Sequence, residues 1–305
     1  MRCKFLGTGT SHGIPVIGCS CQCCRSSDSR DKRFRTSMWI TDGDSKVPAT
    51  SILIDIGPDF RSQALKSGIN RLDVLLLTHG HADHLNGLDD IRIFSHTGSQ
   101  APCGAHGQVK VYPETEGEGL PVYGNTNALH DVHQRFSYIF QPVMEGGGKP
   151  KLKTVDCSVF SEDNPIVIGD ISIIPVPMLH GHLETIGWLL LKGYKGVGAG
   201  PCRGIAYLTD CNQIPPESLE LLRRFGPYLH HLVIDGLRQR PHSTHFSYDQ
   251  ALDVALEVGA RQSWLAHLCH DMTHEQIQGY LADRLSQLGQ DFQCQPAYDG
   301  LVLEI

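Results

Sequence analysis

The 305-residue sequence contains no uninterrupted apolar run near the ~18 residues that a membrane-spanning helix needs. It is short of positive charge: 26 Lys and Arg stand against 33 Asp and Glu, a net charge of −7. That is the wrong sign for a stable nucleic-acid binder. Aromatic residues are sparse at 7%. The opening MRCKFLGTGTSHG reads as a strand and a Gly-rich turn without leader character. A cytoplasmic location is therefore expected. The turn has no following Lys-Ser/Thr element, which excludes a Walker-type phosphate loop. Wholesale disorder is excluded by a hydrophobic fraction of 40%.

Histidine and cysteine are plentiful instead, at 17 and 11 residues. An odd, clustered set of cysteines points to reduced thiols and metal binding, and away from a disulfide framework. Short apolar runs rich in Ile, Val and Leu predict strands at Cys3–Leu6, Ser37–Thr41, Ser51–Asp55, Val74–Thr78, Val109–Tyr112, Ile171–Val176, Thr185–Leu191, Ile205–Thr209, Leu232–Asp235, Ser263–Ala266 and Leu301–Glu304. Helical spacing appears over Asp59–Lys66, Pro216–Phe225, Tyr248–Val258 and Thr273–Leu288. Asp59, Ser247 and Thr273 are plausible N-caps, and Ser247-x-x-Gln250 resembles a capping box. The order suggests an α/β chain of two packed sheets with outer helices. One domain over 1–305 is expected, with a Gly-rich, polar insertion at 97–130.

The strongest chemical signal is Thr78-His79-Gly80-His81-Ala82-Asp83-His84, directly after an apolar strand. Imidazole and carboxylate together suit Zn, Mn or Fe. A tight loop through Gly80 can converge side chains that a regular helix would scatter. His180, Asp210 and His267 each follow a predicted strand, where loops gather at one sheet edge. A second signal is Cys19-Ser20-Cys21-Gln22-Cys23-Cys24. Thiolates so crowded point to a structural zinc, with a remote fourth ligand if only three thiols bind.

The HxHxDH motif followed by His, Asp and His in this order resembles the metallo-β-lactamase superfamily. The resemblance implies a four-layer αββα sandwich with a two-metal site at the sheet edge, loaded with Zn or Mn. By that resemblance, His79, His81 and His180 would hold one ion. Asp83, His84 and His267 would hold the other, and Asp210 would bridge them. His182 is the rival of His180. Two divalent ions outweigh two carboxylates and a hydroxide by one positive charge, which suits an anionic diester.

Gly7-Thr8-Gly9-Thr10-Ser11, Gly18-Cys19-Ser20-Cys21 and His267-x-x-His270 resemble the phosphodiesterases of bacterial phosphonate breakdown, which act on phosphoribosyl cyclic phosphate. This implies a structural zinc on Cys19, Cys21, Cys24 and His270, with Cys23 as an extra thiol. It also implies that His245 aids the leaving group, with His242 second. Asp55 and Asp235 would orient histidines through hydrogen bonds. Arg25, Arg30, Lys32, Arg33 and Arg35 read mainly as a solvated stretch, less as a grip on a distal phosphate.

The expected activity is hydrolysis of a cyclic or small phosphodiester by hydroxide generated at the paired metals. The rivals are a tRNA 3′-end endonuclease, a lactone or thioester hydrolase, and a non-enzymatic zinc or redox scaffold. The 97–130 segment has one Lys and no Arg, so it makes a poor arm for gripping RNA. No membrane partner is expected, and a homodimer is compatible with the sequence.

Overall fold

Residues 1–43, 48–95, 119–141, 149–196 and 202–305 are described by a computed structural model, and their strands fall into two groups of seven. The first six in chain order build one sheet: β1 Arg2–Gly7, β2 Ser37–Gly43, β3 Pro48–Ile54, β4 Val74–Leu76, β5 Leu120–Gly124 and β6 Leu152–Asp156. The next seven build the other: β7 Ile166–Ile168, β8 Ile171–His180, β9 Leu183–Lys192, β10 Arg203–Leu208, β11 Leu229–Asp235, β12 Gln262–Ala266 and β13 Cys294–Pro296. The last strand, β14 Val302–Glu304, returns to the first sheet beside β1. The sheet orders are β14-β1-β2-β3-β4-β5-β6 and β13-β12-β11-β10-β9-β8-β7.

Each sheet is antiparallel in one half and parallel in the other. The pairing switches at β3 in the first sheet and at β10 in the second. Loops leaving the carboxyl ends of parallel strands, near such a switch, are where α/β sheets place ligands. Asp55 and the loop carrying Asp210 leave these two switch strands.

Side-chain alternation makes the layers. Ile52, Ile54, Val74 and Leu76 meet Trp188, Leu190, Ile205, Tyr207 and Val233 between the sheets. Leu53, Leu75 and Leu77 face outward onto Phe60, Leu88, Leu129 and Val132. Ala206, Leu208, Leu232 and Ile234 face the opposite way, onto Leu222, Leu252, Ala255 and Leu281. The result is the expected four-layer αββα sandwich. Among the described residues, no helix is long and apolar enough to cross a membrane.

The helices at Phe60–Ser67, Pro216–Phe225, Tyr248–Val258 and His274–Gln287 lie where their periodicity placed them. Ser247 with Gln250 and Thr273 with Gln276 form reciprocal capping boxes. Asp59 makes no side-chain cap and takes Arg35 as its partner instead. The expected insertion at 97–130 needs its C-terminal boundary moved. Leu120–Gly124 is an interior strand, paired with β4 and β6, and a helix begins at Thr126. Pro121 and two flanking glycines disguised this strand, because proline inside an apolar run reads as a strand breaker. The expected strand Val109–Tyr112 lies outside the described residues.

The basic stretch 25–35 is mostly structural. Arg30 pairs with Asp28, and Arg35 with Asp59. Arg33 is buried, donating to Thr8 Oγ1 and the Ala297 carbonyl, with His274 Nδ1 at 3.3 Å. Burial, then the Arg33 and Arg30 charges, push His274 down to about 4. The unfolded chain takes up this proton near pH 6.5 and the folded chain resists it. Stability is therefore full above about pH 6.5 and is lost as pH falls toward 4. Thermal melts from pH 7 to 5 should show a His274→Gln variant losing less than the parent, by about 1–2 kcal/mol after screening. Parallel curves would remove this group from the acid response.

Candidate metal centre

After β4 the chain turns sharply through Thr78–His81 into one helical turn, Ala82–Leu85. Glycine is required at position 80 by close approach: a Cβ there would come within 2.0 Å of Asp131 Oδ2 on the helix Thr126–Arg135. Asp55 holds the loop from the end of β3. Its carboxylate accepts from the Thr78 amide at 2.8 Å, Thr78 Oγ1 at 2.9 Å and His84 Nδ1 at 2.7 Å. Thr78 Oγ1, donating to Asp55, accepts in turn from His79 Nδ1 at 3.0 Å. This relay places the ring protons of His79 and His84 on Nδ1 and turns both Nε2 lone pairs toward the centre.

Three other strands supply the rest. His180 ends β8 and donates from Nδ1 to the Thr244 carbonyl at 2.6 Å. Asp210 follows β10 and His267 follows β12. Asp55, Asp210 and His267 have φ of 59°, 59° and 57°, and are the non-glycine residues with positive φ among the described residues. Left-handed backbone at such residues costs on the order of 1 kcal/mol each and persists where surrounding structure enforces it. All three instances fall at this one site.

Ligand atoms of His79, His81 and His180 lie within 4.8 Å of one another. So do those of Asp83, His84, Asp210 and His267. Asp210 stands between the groups: Oδ1 is 4.0 Å from His79 Nε2 and 3.1 Å from His267 Nε2, and Oδ2 is 3.2 Å from His84 Nε2. The sequence-predicted set of seven is thus brought together, with Asp210 in the shared position. His182 is exposed in the turn between β8 and β9 and joins neither group.

The environment fits a pair of divalent cations. The Nε2 atoms of His79, His84 and His267 and Oδ2 of Asp210 are buried without hydrogen-bond partners. Buried polar atoms are seldom left so, and an ion is one of the few partners that satisfies several at once. Burial opposes ionisation of Asp83 and Asp210, yet the surrounding histidines hold both carboxyls well below the usual range. Two buried carboxylates ringed by imidazole nitrogens form an oxygen and nitrogen donor set suited to Zn or Mn.

His245 lies on the rim of both groups. Its ring centroid is 4.5 Å from that of His180 and 4.7 Å from that of His267. Nδ1 is 2.7 Å from Asp235 Oδ2, and the same oxygen accepts from the Cys211 amide at 3.0 Å. Burial alone would depress the imidazole, but the Asp235 carboxylate raises it to about 9. His242 instead takes up Thr244, with Nδ1 at 3.3 Å from its amide and 3.2 Å from its hydroxyl.

The cysteine cluster forms a second, separate donor set. Sγ of Cys19, Cys21 and Cys24 lie 3.3, 3.5 and 3.4 Å from His270 Nδ1. A tetrahedral zinc with ordinary Zn–S and Zn–N bonds has an S···N edge of about 3.6 Å, so the four side chains already hold the right spacing. Cys23 points away and packs on Ile14, where burial pushes its thiol up to about 12. Sequence reasoning did not reach Asn212, which links two of the site's loops. It lies two residues past Asp210, but a neutral amide carries no signature of chemistry.

The family model described as "Beta-lactamase superfamily domain" matches residues 50–268, more than half of the chain. The chain belongs to this superfamily. It is similar to a solved diphosphatase of the PhnP family, with 32% identity and a TM-score of 0.74, covering 100% of this chain and 97% of that one. Human tRNase Z, short form, shares the fold at 16% identity and a TM-score of 0.61, covering 100% and 99%. A curated octanoyltransferase from Porphyromonas gingivalis is 37% identical over 272 residues. That match covers 88% of this chain but spans only 46% of the relative's length. As a member of this superfamily, the chain is a metal-dependent hydrolase.

Proposed function

We propose that this hydrolase is a phosphodiesterase, cleaving a small or cyclic phosphodiester to a monoester. The observation that carries the reading is Asp210 at the junction of the two ligand groups, with Asp83 beside it and the His245–Asp235 pair at the rim. His79, His81 and His180 would hold one ion, and Asp83, His84 and His267 the other, with Asp210 between them. When bound, such a pair supplies hydroxide near neutral pH and a positive field for the phosphoryl oxygens.

The chain's own residues do the rest. Asp55 and Thr78 fix the histidine tautomers. Asp235 occupies Nδ1 of His245 and leaves Nε2 as the free ring nitrogen facing His180 and Asp210. The Asp235 carboxylate favours the protonated imidazole of His245. His245 can give that proton to the departing oxygen as the P–O bond breaks, and recover one from the incoming water.

A second reading, acyl ester or thioester hydrolysis, is favoured by the 37% identity to the octanoyltransferase. The activity in that name belongs to a protein more than twice as long as the matched region. One panel decides between them: bis-p-nitrophenyl phosphate, a nucleoside 2′,3′-cyclic phosphate and an octanoyl thioester, each with Mn²⁺- or Zn²⁺-loaded protein. Turnover on the diesters at least ~100-fold above the thioester is expected. Preference for the thioester would overturn the phosphodiesterase reading. Activity on the small diesters that is insensitive to salt would separate it from an RNA endonuclease.

A further inference from the structure

Three loops at the site are joined by one side-chain amide. Asn212 Oδ1 accepts from the Gly181 amide at 2.7 Å, and its Nδ2 donates to the Ser243 carbonyl at 3.0 Å. The two partners fix which end of the amide is oxygen. Gly181 immediately follows His180, and Ser243 lies two residues before His245. The ring closes through His180 itself, whose Nδ1 donates to the Thr244 carbonyl at 2.6 Å. On its other side, Leu179 exchanges backbone hydrogen bonds with Gln213 at 2.9 and 3.3 Å, and its carbonyl also accepts from the Asn212 amide at 2.9 Å. The loops after β8 and β10 and the loop 242–245 are therefore one hydrogen-bonded unit, with Asn212 as its side-chain member. Gly181, at φ 65°, leaves room for Thr244, whose Cγ2 would lie 2.9 Å from a Cβ at that position.

We propose that Asn212 is a positioning residue that sets His245 against the His180 side of the metal centre. It fixes the spacing between a ligand histidine and the group that protonates the leaving oxygen. The kinetic part of this proposal rests on the phosphodiesterase reading; the structural part does not. Asn212→Ala removes both hydrogen bonds. Asn212→Asp keeps the acceptor for Gly181 but opposes a carboxylate oxygen to the Ser243 carbonyl.

The test combines leaving-group dependence with imidazole NMR on full-length, metal-loaded protein. Protonation matters for a poor leaving group and little for p-nitrophenolate. For Asn212→Ala we expect kcat to fall about 10–100-fold on a diester with an alkyl leaving group and less than ~3-fold on bis-p-nitrophenyl phosphate. The downfield Nδ1–H resonances of His180 and His245 should broaden or vanish, while that of His84, held by Asp55, stays. Asn212→Asp should lose the His180 signal too, because the Thr244 carbonyl that holds it lies next to the repelled Ser243 carbonyl. If the parent cleaves no diester, the phosphodiesterase reading fails and the NMR pattern alone decides the positioning role. Unchanged resonances and an unchanged leaving-group ratio in Asn212→Ala would overturn the proposal. So would equal losses on both substrates accompanied by loss of the His84 signal, or failure of both variants to fold, since each marks a general structural role.

Discussion

Asp210→Ala should lower diester turnover by at least ~10³-fold, about 4 kcal/mol of transition-state stabilisation, and reduce the bound metal per chain. Asp210 contributes more than one ligand bond. Its two oxygens lie at 3.1–4.0 Å from three histidine Nε2 atoms drawn from both groups, so its loss unlinks the pair and not just one ion. The isosteric Asp210→Asn should fall almost as far, because the shape survives while the charge that gathers two cations is gone. Stability of the metal-free protein should fall as well. There the surrounding imidazoles hold the buried Asp210 carboxyl well below its usual range, with His267 and His84 Nε2 at 3.1 and 3.2 Å. Removing the carboxylate leaves those rings without their counter-charge, so the melting temperature of the metal-free variant should lie below that of the metal-free parent. Retained turnover in a variant with intact metal content would remove Asp210 from the reaction.

Cys24→Ala should release the cluster ion and cost several kcal/mol of stability, seen as a melting temperature lowered by more than ~10 °C. The size follows from what the cluster ties together. His270 and Cys19 are 251 residues apart, and a link between them restrains nearly the whole unfolded chain. The cluster also lies three residues from His267. Leu268 exchanges backbone bonds with the Thr8–Thr10 strand end at 2.9 and 3.0 Å, and the Cys269 amide donates to the Leu237 carbonyl at 3.0 Å. Loosening His270 therefore loosens the segment that aims His267. Metal analysis should fall by one zinc per chain in step with the melt. A Cys23→Ala variant, whose thiol faces Ile14, should keep that zinc. Equal melting of parent and Cys24→Ala would show that the four side chains hold no ion of structural weight.

The site was legible in the sequence to the extent that its residues advertise chemistry. His79, His81, Asp83 and His84 crowd one loop, and His180, Asp210 and His267 each sit just past an apolar strand. The hydrogen-bonding carboxylates Asp55 and Asp235 were visible for the same reason. Thr78, Thr244 and Asn212 were not, because a hydroxyl, a backbone carbonyl and a neutral amide occur everywhere in loops. The left-handed backbone at Asp55, Asp210 and His267 was equally hidden, since no glycine marks it. In the fold, capping boxes at Ser247 and Thr273 announced their helices, whereas Pro121 concealed β5 and carried the insertion boundary too far. Local signals are legible where one residue type dominates a motif, and are lost where tertiary pairing overrides a breaker.

Seven side chains are expected to hold two cations around Asp210, and anomalous diffraction at the zinc or manganese edge, on crystals of metal-loaded protein, would locate them. Two peaks about 3.5–4 Å apart are expected, one by His79, His81 and His180 and one by Asp83, His84 and His267, with Asp210 between them. A third peak is expected among Cys19, Cys21, Cys24 and His270. Peaks confined to the cysteine cluster, with none beside Asp210, would show that these seven side chains hold no metal pair.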